Sequence, residues 1–143
     1  MAQPPDVKRA LKTLAAVAAT PFSQADTIPP ILYSSEDVHQ LEKERIFAKE
    51  WVCPGLAADL PNPGDYITFS INDQPVLTLR GEDGVVRSFS NVCLHRMMPL
   101  VEGRGSCGRK LVCPYHAWTY DPQGKVIGAG HMGGRDPAFD KKQ

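Results

Sequence analysis

The stretch NVCLHRMMPL, residues 91–100, places Cys93 and His95 two positions apart, directly after a predicted strand. A basic residue, two methionines and a proline follow the pair. A thiol next to an imidazole at the end of a strand has several explanations when it stands alone. The rest of the chain reduces the number of these explanations.

A second pair of the same residue types follows in the stretch CPYHAW, where Cys113 precedes His116 by three positions. Seventeen residues separate His95 from Cys113, which leaves room for the chain to return through a sheet. Both pairs stand at the ends of predicted strands, where loops on one side of a sheet can meet. The spacing therefore predicts two thiolates and two imidazoles around one point.

The region around these loops alternates with the period of a β-strand. In DYITFSI the apolar residues Ile67, Phe69 and Ile71 share one face, and NDQP and GEDG provide turns. Further short strands are predicted in the stretches VLTLR, VVRSFSNV, KLVCP, AWTY and KVIG. Short strands at this spacing favour an antiparallel sandwich or a small barrel.

The first fifty residues are predicted to form a helix, a proline-rich linker and a second helix. One apolar face of the first helix is predicted to consist of Val7, Leu11, Leu14, Ala15 and Ala18. The second helix is predicted to begin at a capping signature, Ser34 with Asp37 three positions later. It is expected to place Val38, Leu41, Arg45 and Ile46 on one side.

Composition excludes some classes of function. Sixteen Lys and Arg balance sixteen Asp and Glu, so no net charge favours nucleic acid or a membrane surface as a partner. Lys12 interrupts the only stretch that resembles a signal peptide, so we expect a cytoplasmic protein with reduced thiols. In such a protein, clustered Cys and His residues hold a metal more often than they form disulfides.

Two kinds of metal centre suit two Cys and two His. Zinc is one, but zinc fingers usually pair Cys with Cys and His with His. Here each loop contributes one residue of each type. This arrangement suits a two-iron cluster in which two Cys bind one iron and two His bind the other. A structural zinc module stays open as an alternative.

The chain resembles the Rieske [2Fe–2S] proteins in one pattern: a C-x-H pair, seventeen intervening residues and a C-x-x-H pair. The resemblance implies that Cys93 and Cys113 bind one iron and that His95 and His116 bind the other. It also implies a mainly β fold, a Rieske-type antiparallel β-sandwich with a cluster-binding subdomain, preceded by two N-terminal helices.

Two features make the chain resemble the oxygenase and ferredoxin branch of this family. Neither loop has the extra Cys that forms a disulfide in the Rieske proteins of cytochrome complexes, and Tyr115 stands where the second one would be. The stretch LEKERIFAKEWVCPGLAADLPNPGDYIT resembles the α subunits of ring-hydroxylating oxygenases, as does CPYHAWTYDPQGKVIG. The resemblance extends from about residue 28 to about residue 128.

This resemblance implies a role in a non-haem iron mono- or dioxygenase. The chain would pass electrons from a flavin/iron–sulfur reductase or ferredoxin to a mononuclear Fe(II), for hydroxylation or demethylation of a substrate. Full-length α subunits of the family usually form trimers with neighbouring subunits. A stand-alone Rieske ferredoxin-like electron carrier stays open as an alternative.

The resemblance divides the chain into a helical segment at 1–50, a Rieske domain at 51–130 and a linker at 131–143. The linker would lead toward a catalytic domain that this chain lacks, because only His39 and His131 remain besides the ligand histidines. We expect His131 to be a loop histidine rather than a ligand.

Several residues around the predicted cluster depart from the family or have an expected secondary role. Leu94, Met97 and Met98 change the usual C-x-H-R-G-A, and Ala117 stands where Gly is more usual. The residues expected to surround the cluster are Arg96, for partner contact or loop stability, Tyr115, for tuning or packing, and Trp118, packed under the second loop. We expect GRGSCG to be a turn rather than a dinucleotide site, Cys107 to be a free thiol, and Cys53 to lie buried in a strand.

Overall fold

The computed structural model describes residues 4–130 of the chain. The chain divides into two compact units, and the division falls between Val52 and Cys53. Among the described residues, no helix has the length and apolar character needed to cross a bilayer. His131 and the predicted linker at 131–143 lie outside the described residues.

The first unit begins with a fourteen-residue helix, α1, at Pro5–Ala18. Pro5 stands in its first turn, where the missing N–H costs no hydrogen bond. The covered face consists of Val7, Ala10, Leu11, Leu14 and Val17, spaced three and four apart. Ala15 and Ala18 are exposed, so the predicted face is correct at three positions and wrong at these two.

The second predicted helix is divided into shorter segments, because residue 35 leaves the helical conformation. Helix α2 spans Ile31–Ser34, helix α3 spans Glu36–Glu42, and a π-helical turn follows at Lys43–Phe47. Ser35 has an extended backbone, and its Oγ accepts a hydrogen bond of 3.4 Å from the Val38 N–H. The cap is therefore Ser35, and the prediction of Ser34 was wrong by one residue.

The second unit contains two antiparallel sheets. A four-stranded sheet has the order β3-β2-β1-β4, and a three-stranded sheet has the order β5-β6-β7. The strands are β1 at Asp65–Ile71, β2 at Gln74–Arg80, β3 at Val86–Ser90, β4 at Arg104–Ser106, β5 at Leu111–Val112, β6 at Thr119–Tyr120 and β7 at Val126–Gly128. Six of these strands lie where the sequence predicts them, namely β1, β2, β3, β5, β6 and β7.

Strand β4 corrects the prediction that GRGSCG is only a turn. Its residues pair with the start of β1, Asp65 opposite Ser106 and Tyr66 opposite Gly105. A side-chain carbon at Gly105 would lie 2.9 Å from the Tyr66 hydroxyl oxygen, so a larger residue there would have to displace the Tyr66 ring. The next element after this stretch is strand β5 rather than a helix.

The core of the second unit contains two of the four cysteines. Cys93 and Cys113 belong to one buried cluster with five other side chains, namely Leu77, Leu79, Leu100, Leu111 and Tyr120. Cys107 is a free thiol, as predicted. Cys53 is exposed and precedes a 3-10 turn at Ala57–Asp59, so its prediction as a buried strand residue was wrong.

Candidate metal centre

The loop after β3 and the loop between β5 and β6 have the same backbone hydrogen bonds. In the first, the Met97 N–H donates to the Cys93 carbonyl over 2.8 Å, and the Cys93 N–H donates to the Met98 carbonyl over 2.8 Å. In the second, Ala117 donates to Cys113 over 3.0 Å, and Cys113 donates to the Trp118 carbonyl over 2.8 Å. The two loops are therefore matched tight turns, each closed on its own cysteine.

Both turns contain a left-handed residue that is not glycine. Met97 has a φ of 56° and Ala117 a φ of 57°. A side chain in this region is strained by about 1–2 kcal/mol, whereas glycine adopts the same conformation without that strain. The chain keeps the turn shape in spite of this cost.

The turns bring the four predicted ligands together in two like pairs. Cys93 and Cys113 are 1% and 3% exposed, and their side chains form a hydrogen bond with each other. The imidazole rings of His95 and His116 are half-buried, with centroids 4.8 Å apart. The thiols thus lie inside the core, whereas the two imidazoles are partly exposed to solvent.

The electrostatics around Cys113 favour a thiolate. Burial raises the pKa of its thiol, but hydrogen bonds from the backbone N–H groups of His116 and Tyr115 and from Cys93 outweigh this effect. The pKa of Cys113 therefore lies below its usual value. A thiolate is the form in which Cys binds metal.

Tyr120 is a site residue that the sequence did not reveal. Its hydroxyl oxygen lies 3.2 Å from the Cys93 sulfur and accepts a 2.9 Å hydrogen bond from the Leu94 N–H. Either the hydroxyl or the thiol can donate in the contact with Cys93, and the hydroxyl is the donor when Cys93 is a metal-binding thiolate. Burial raises the pKa of Tyr120 to about 12, so the phenol stays protonated at neutral pH.

Asn91 is a second residue that sequence reasoning missed. It is 4% exposed, and its side-chain amide donates to the Val101 carbonyl over 2.7 Å. Its side-chain oxygen lies 3.2 Å from the Leu100 nitrogen and 3.3 Å from the Val101 nitrogen, both of which donate to it. Asn91 therefore closes the base of the loop that carries Cys93 and His95.

The three residues expected around the cluster have different positions. Trp118 lies flat against His95 of the other loop, with centroids 5.1 Å apart and ring planes at 3°. Tyr115 leans on His116 at 3.8 Å and 36°, and its side chain is exposed. Arg96 is exposed on the same loop as His95.

The donor set fits a two-iron cluster. In a Rieske centre each iron takes only two protein ligands, two Cys on one and two His on the other. Two buried thiols and two imidazoles in edge-to-face contact provide such pairs. In the described range 4–130, no three His, Cys, Asp or Glu side chains converge as a site for a single ion.

Comparison with known proteins identifies the family. The model of the Rieske [2Fe–2S] domain matches residues 50–134. The chain belongs to this family. The match confirms the predicted fold class and the [2Fe–2S] cluster as cofactor, whereas the assignment of each ligand stays a prediction.

Proteins similar to this Rieske chain include an oxygenase subunit and solved structures of a monooxygenase and a dioxygenase. The carnitine monooxygenase oxygenase subunit of Acinetobacter baumannii is 42% identical over 100 residues, which cover 70% of this chain and 27% of the relative. A quaternary ammonium Rieske monooxygenase, described for carnitine oxidation by gut microbiota and inter-subunit electron transfer, is 39% identical with a TM-score of 0.71. That match covers 82% of this chain and 32% of the other.

A third similarity covers almost the whole chain. Naphthalene 1,2-dioxygenase of a Rhodococcus species is 27% identical over 98% of this chain and 31% of its own, with a TM-score of 0.78. This Rieske chain therefore spans about a third or less of the length of these proteins that it matches.

Proposed function

We propose that the chain is the electron-transfer part of a terminal Rieske non-haem iron oxygenase. The observation that carries the proposal is the pairing of two buried thiols and of two adjacent imidazoles on matched turns. A bound [2Fe–2S] cluster takes up and releases one electron. The similar proteins reported above, an oxygenase subunit, a monooxygenase and a dioxygenase, support this role.

In this proposal Cys93 and Cys113 hold one iron, and His95 and His116 hold the other. Neutral imidazoles leave the centre about two negative charges less negative than four thiolates, so an electron is added more easily. The core position of the thiols keeps water from the sulfur ligands, because Cys93 and Cys113 are nearly fully buried. The half-buried imidazoles are then the side by which electrons enter and leave.

The activity of the whole protein follows from the same proposal. An electron would come from a flavin/iron–sulfur reductase or a ferredoxin and go to a mononuclear Fe(II), which the described residues do not provide. The reaction would be hydroxylation or demethylation of a substrate. Neighbouring subunits of a trimer would exchange the electron, as the inter-subunit transfer described for the quaternary ammonium monooxygenase suggests.

A redox titration of the chain tests this role. The chain is reduced anaerobically with dithionite, freed of excess reductant and mixed with an oxidised one-electron dye of known potential. We expect each chain to return one electron and to repeat the cycle without loss of iron. A chain that takes up no electron, or loses its iron after one cycle, would contradict the role.

Single ligand changes sharpen the test. His95→Cys and His116→Cys each add a thiolate, so a chain that keeps its cluster should have a much lower potential. The control is Cys107→Ser. Cys107 is a free thiol that directly follows β4 and belongs to neither turn. An unchanged potential in a loaded His variant would count against that histidine as a ligand.

A further inference from the structure

We propose that Trp118 is a positioning residue that orients His95 and lowers the reduction potential of the centre. The inference rests on the proposed function and deepens it. Trp118 comes two residues after His116 in the second turn, but its indole lies against the imidazole of the first turn. One side chain therefore joins the two turns across the site.

The geometry of the contact is that of a stack. The two rings are nearly parallel, at 3°, with centroids 5.1 Å apart. His95 also meets the ring of His116 edge-on, at 4.8 Å and 64°. With one neighbour on its face and one at its edge, the His95 ring cannot rotate without losing one of these contacts. Trp118 thereby determines the plane in which His95 presents its nitrogen.

The ring face rather than the indole N–H makes this contact. The indole nitrogen of Trp118 is buried and has no hydrogen-bond acceptor among residues 4–130. Replacing Trp118 by Phe therefore removes no hydrogen bond and retains an aromatic face. This makes Trp118→Phe a conservative variant against which Trp118→Leu can be compared.

Electrostatics predicts the direction of the effect. The face of an indole is electron-rich and attracts positive charge. An imidazole bound to ferric iron carries more positive charge than one bound to ferrous iron, so the stack stabilises the oxidised centre more than the reduced one. The indole also excludes water, which disfavours the extra negative charge of the reduced centre. Both effects lower the potential.

The experiment measures the potentials of the loaded wild-type, Trp118→Phe and Trp118→Leu chains, with iron content determined for each. We expect the reduction potential to be lowest in wild type, higher in Trp118→Phe and highest in Trp118→Leu. Relative to wild type, Trp118→Leu should change the one-electron equilibrium constant with a reference dye by about three- to tenfold, where tenfold corresponds to 59 mV. Trp51→Leu is the control, since Trp51 is fully exposed in the first unit and should have no effect.

Pulsed EPR of the reduced chain provides a second readout, because histidine nitrogen couplings depend on ring orientation. In Trp118→Leu we expect one of the two histidine couplings to change, and in Trp118→Phe both should be retained. Equal potentials in wild type and a loaded Trp118→Leu chain would overturn the inference. If the Leu variant does not load, a Phe variant with the wild-type potential overturns it.

The proposed function and this inference fail in different ways. A wild-type chain that binds no two-iron cluster refutes the proposed function. A wild-type chain that loads, with potentials that do not follow the predicted order, refutes only the role of Trp118.

Discussion

The hydroxyl oxygen of Tyr120 lies 3.2 Å from the sulfur of Cys93, although 27 residues separate the two in the chain. The Leu94 N–H donates to the same oxygen, and the phenol donates to the sulfur once Cys93 is a thiolate ligand. A hydrogen bond to a thiolate ligand is stronger when the centre carries the additional electron. Tyr120 should therefore raise the reduction potential, in opposition to the stack on His95.

Removing this hydroxyl tests the effect. In Tyr120→Phe the reduced centre loses a donor, so the potential should fall by tens of millivolts, about 20–60 mV. Redox titration of the loaded variant measures the shift. Tyr33→Phe is the control, because Tyr33 is 78% exposed in the first unit. A potential equal to that of wild type would show that the hydroxyl does not donate to a ligand sulfur.

Replacing Ala117 by glycine should stabilise the chain. Ala117 has a φ of 57°, and glycine adopts this conformation without the clash of a side chain. We expect the free energy of unfolding to rise by about 1 kcal/mol, measured by denaturant titration. The same change at Ala58, exposed in the 3-10 turn without a positive φ, should lower it by about 0.5–1 kcal/mol. If glycine changed the free energy of unfolding in the same direction at both positions, Ala117 would not be strained.

Asn91→Ala should destabilise the chain strongly. The substitution removes one donor and one acceptor that together satisfy three backbone groups at residues 100 and 101. Unsatisfied groups in a buried position make a loss of about 2–3 kcal/mol the expected result. Asn62→Ala, at an exposed turn, should cost less than about 0.5 kcal/mol. A small effect at Asn91 would mean that water replaces its side chain.

Asp83 should give the chain a measurable acid dependence. Two hydrogen bonds from the Arg87 guanidinium, 2.9 and 2.7 Å long, and one from the Val85 N–H lower the pKa of Asp83 to about 2 from 3.8. Because the folded-state pKa is depressed, the ion pair contributes its full stability above pH 3.8 and loses it as the pH falls through about 2.

The comparison with Asp83→Asn isolates this contribution. The difference in unfolding free energy between wild type and variant should stay constant above about pH 4 and shrink toward pH 2. A carboxyl NMR titration of Asp83 measures the pKa directly. A normal pKa in that titration would show that the pair is not formed in solution.

The parts of this molecule that were predictable are those encoded by local patterns. Alternation in DYITFSI revealed β1, and the residue types and spacing of the two loops revealed the four ligand candidates. Strand β4 was missed because Arg-Gly-Ser has no alternation, and only pairing with β1 makes it a strand. The cap was misplaced because Ser34 and Ser35 are the same residue type, and the local backbone decides between them.

Tyr120 and Asn91 were missed for a related reason. Their partners lie 26 or 27 and 9 or 10 residues away, so the contacts exist only once the chain has folded. In the sequence, Tyr120 is simply an aromatic strand residue and Asn91 a polar residue after a strand. A side chain that acts across the fold leaves no local signal.

The most direct test of the central claim is metal content together with low-temperature EPR of the anaerobically purified chain, before and after dithionite. We expect a red-brown protein with two irons per chain and a Rieske-type signal that appears only on reduction. A colourless protein with one zinc per chain and no signal would contradict it, and would leave the four residues as ligands of a structural ion.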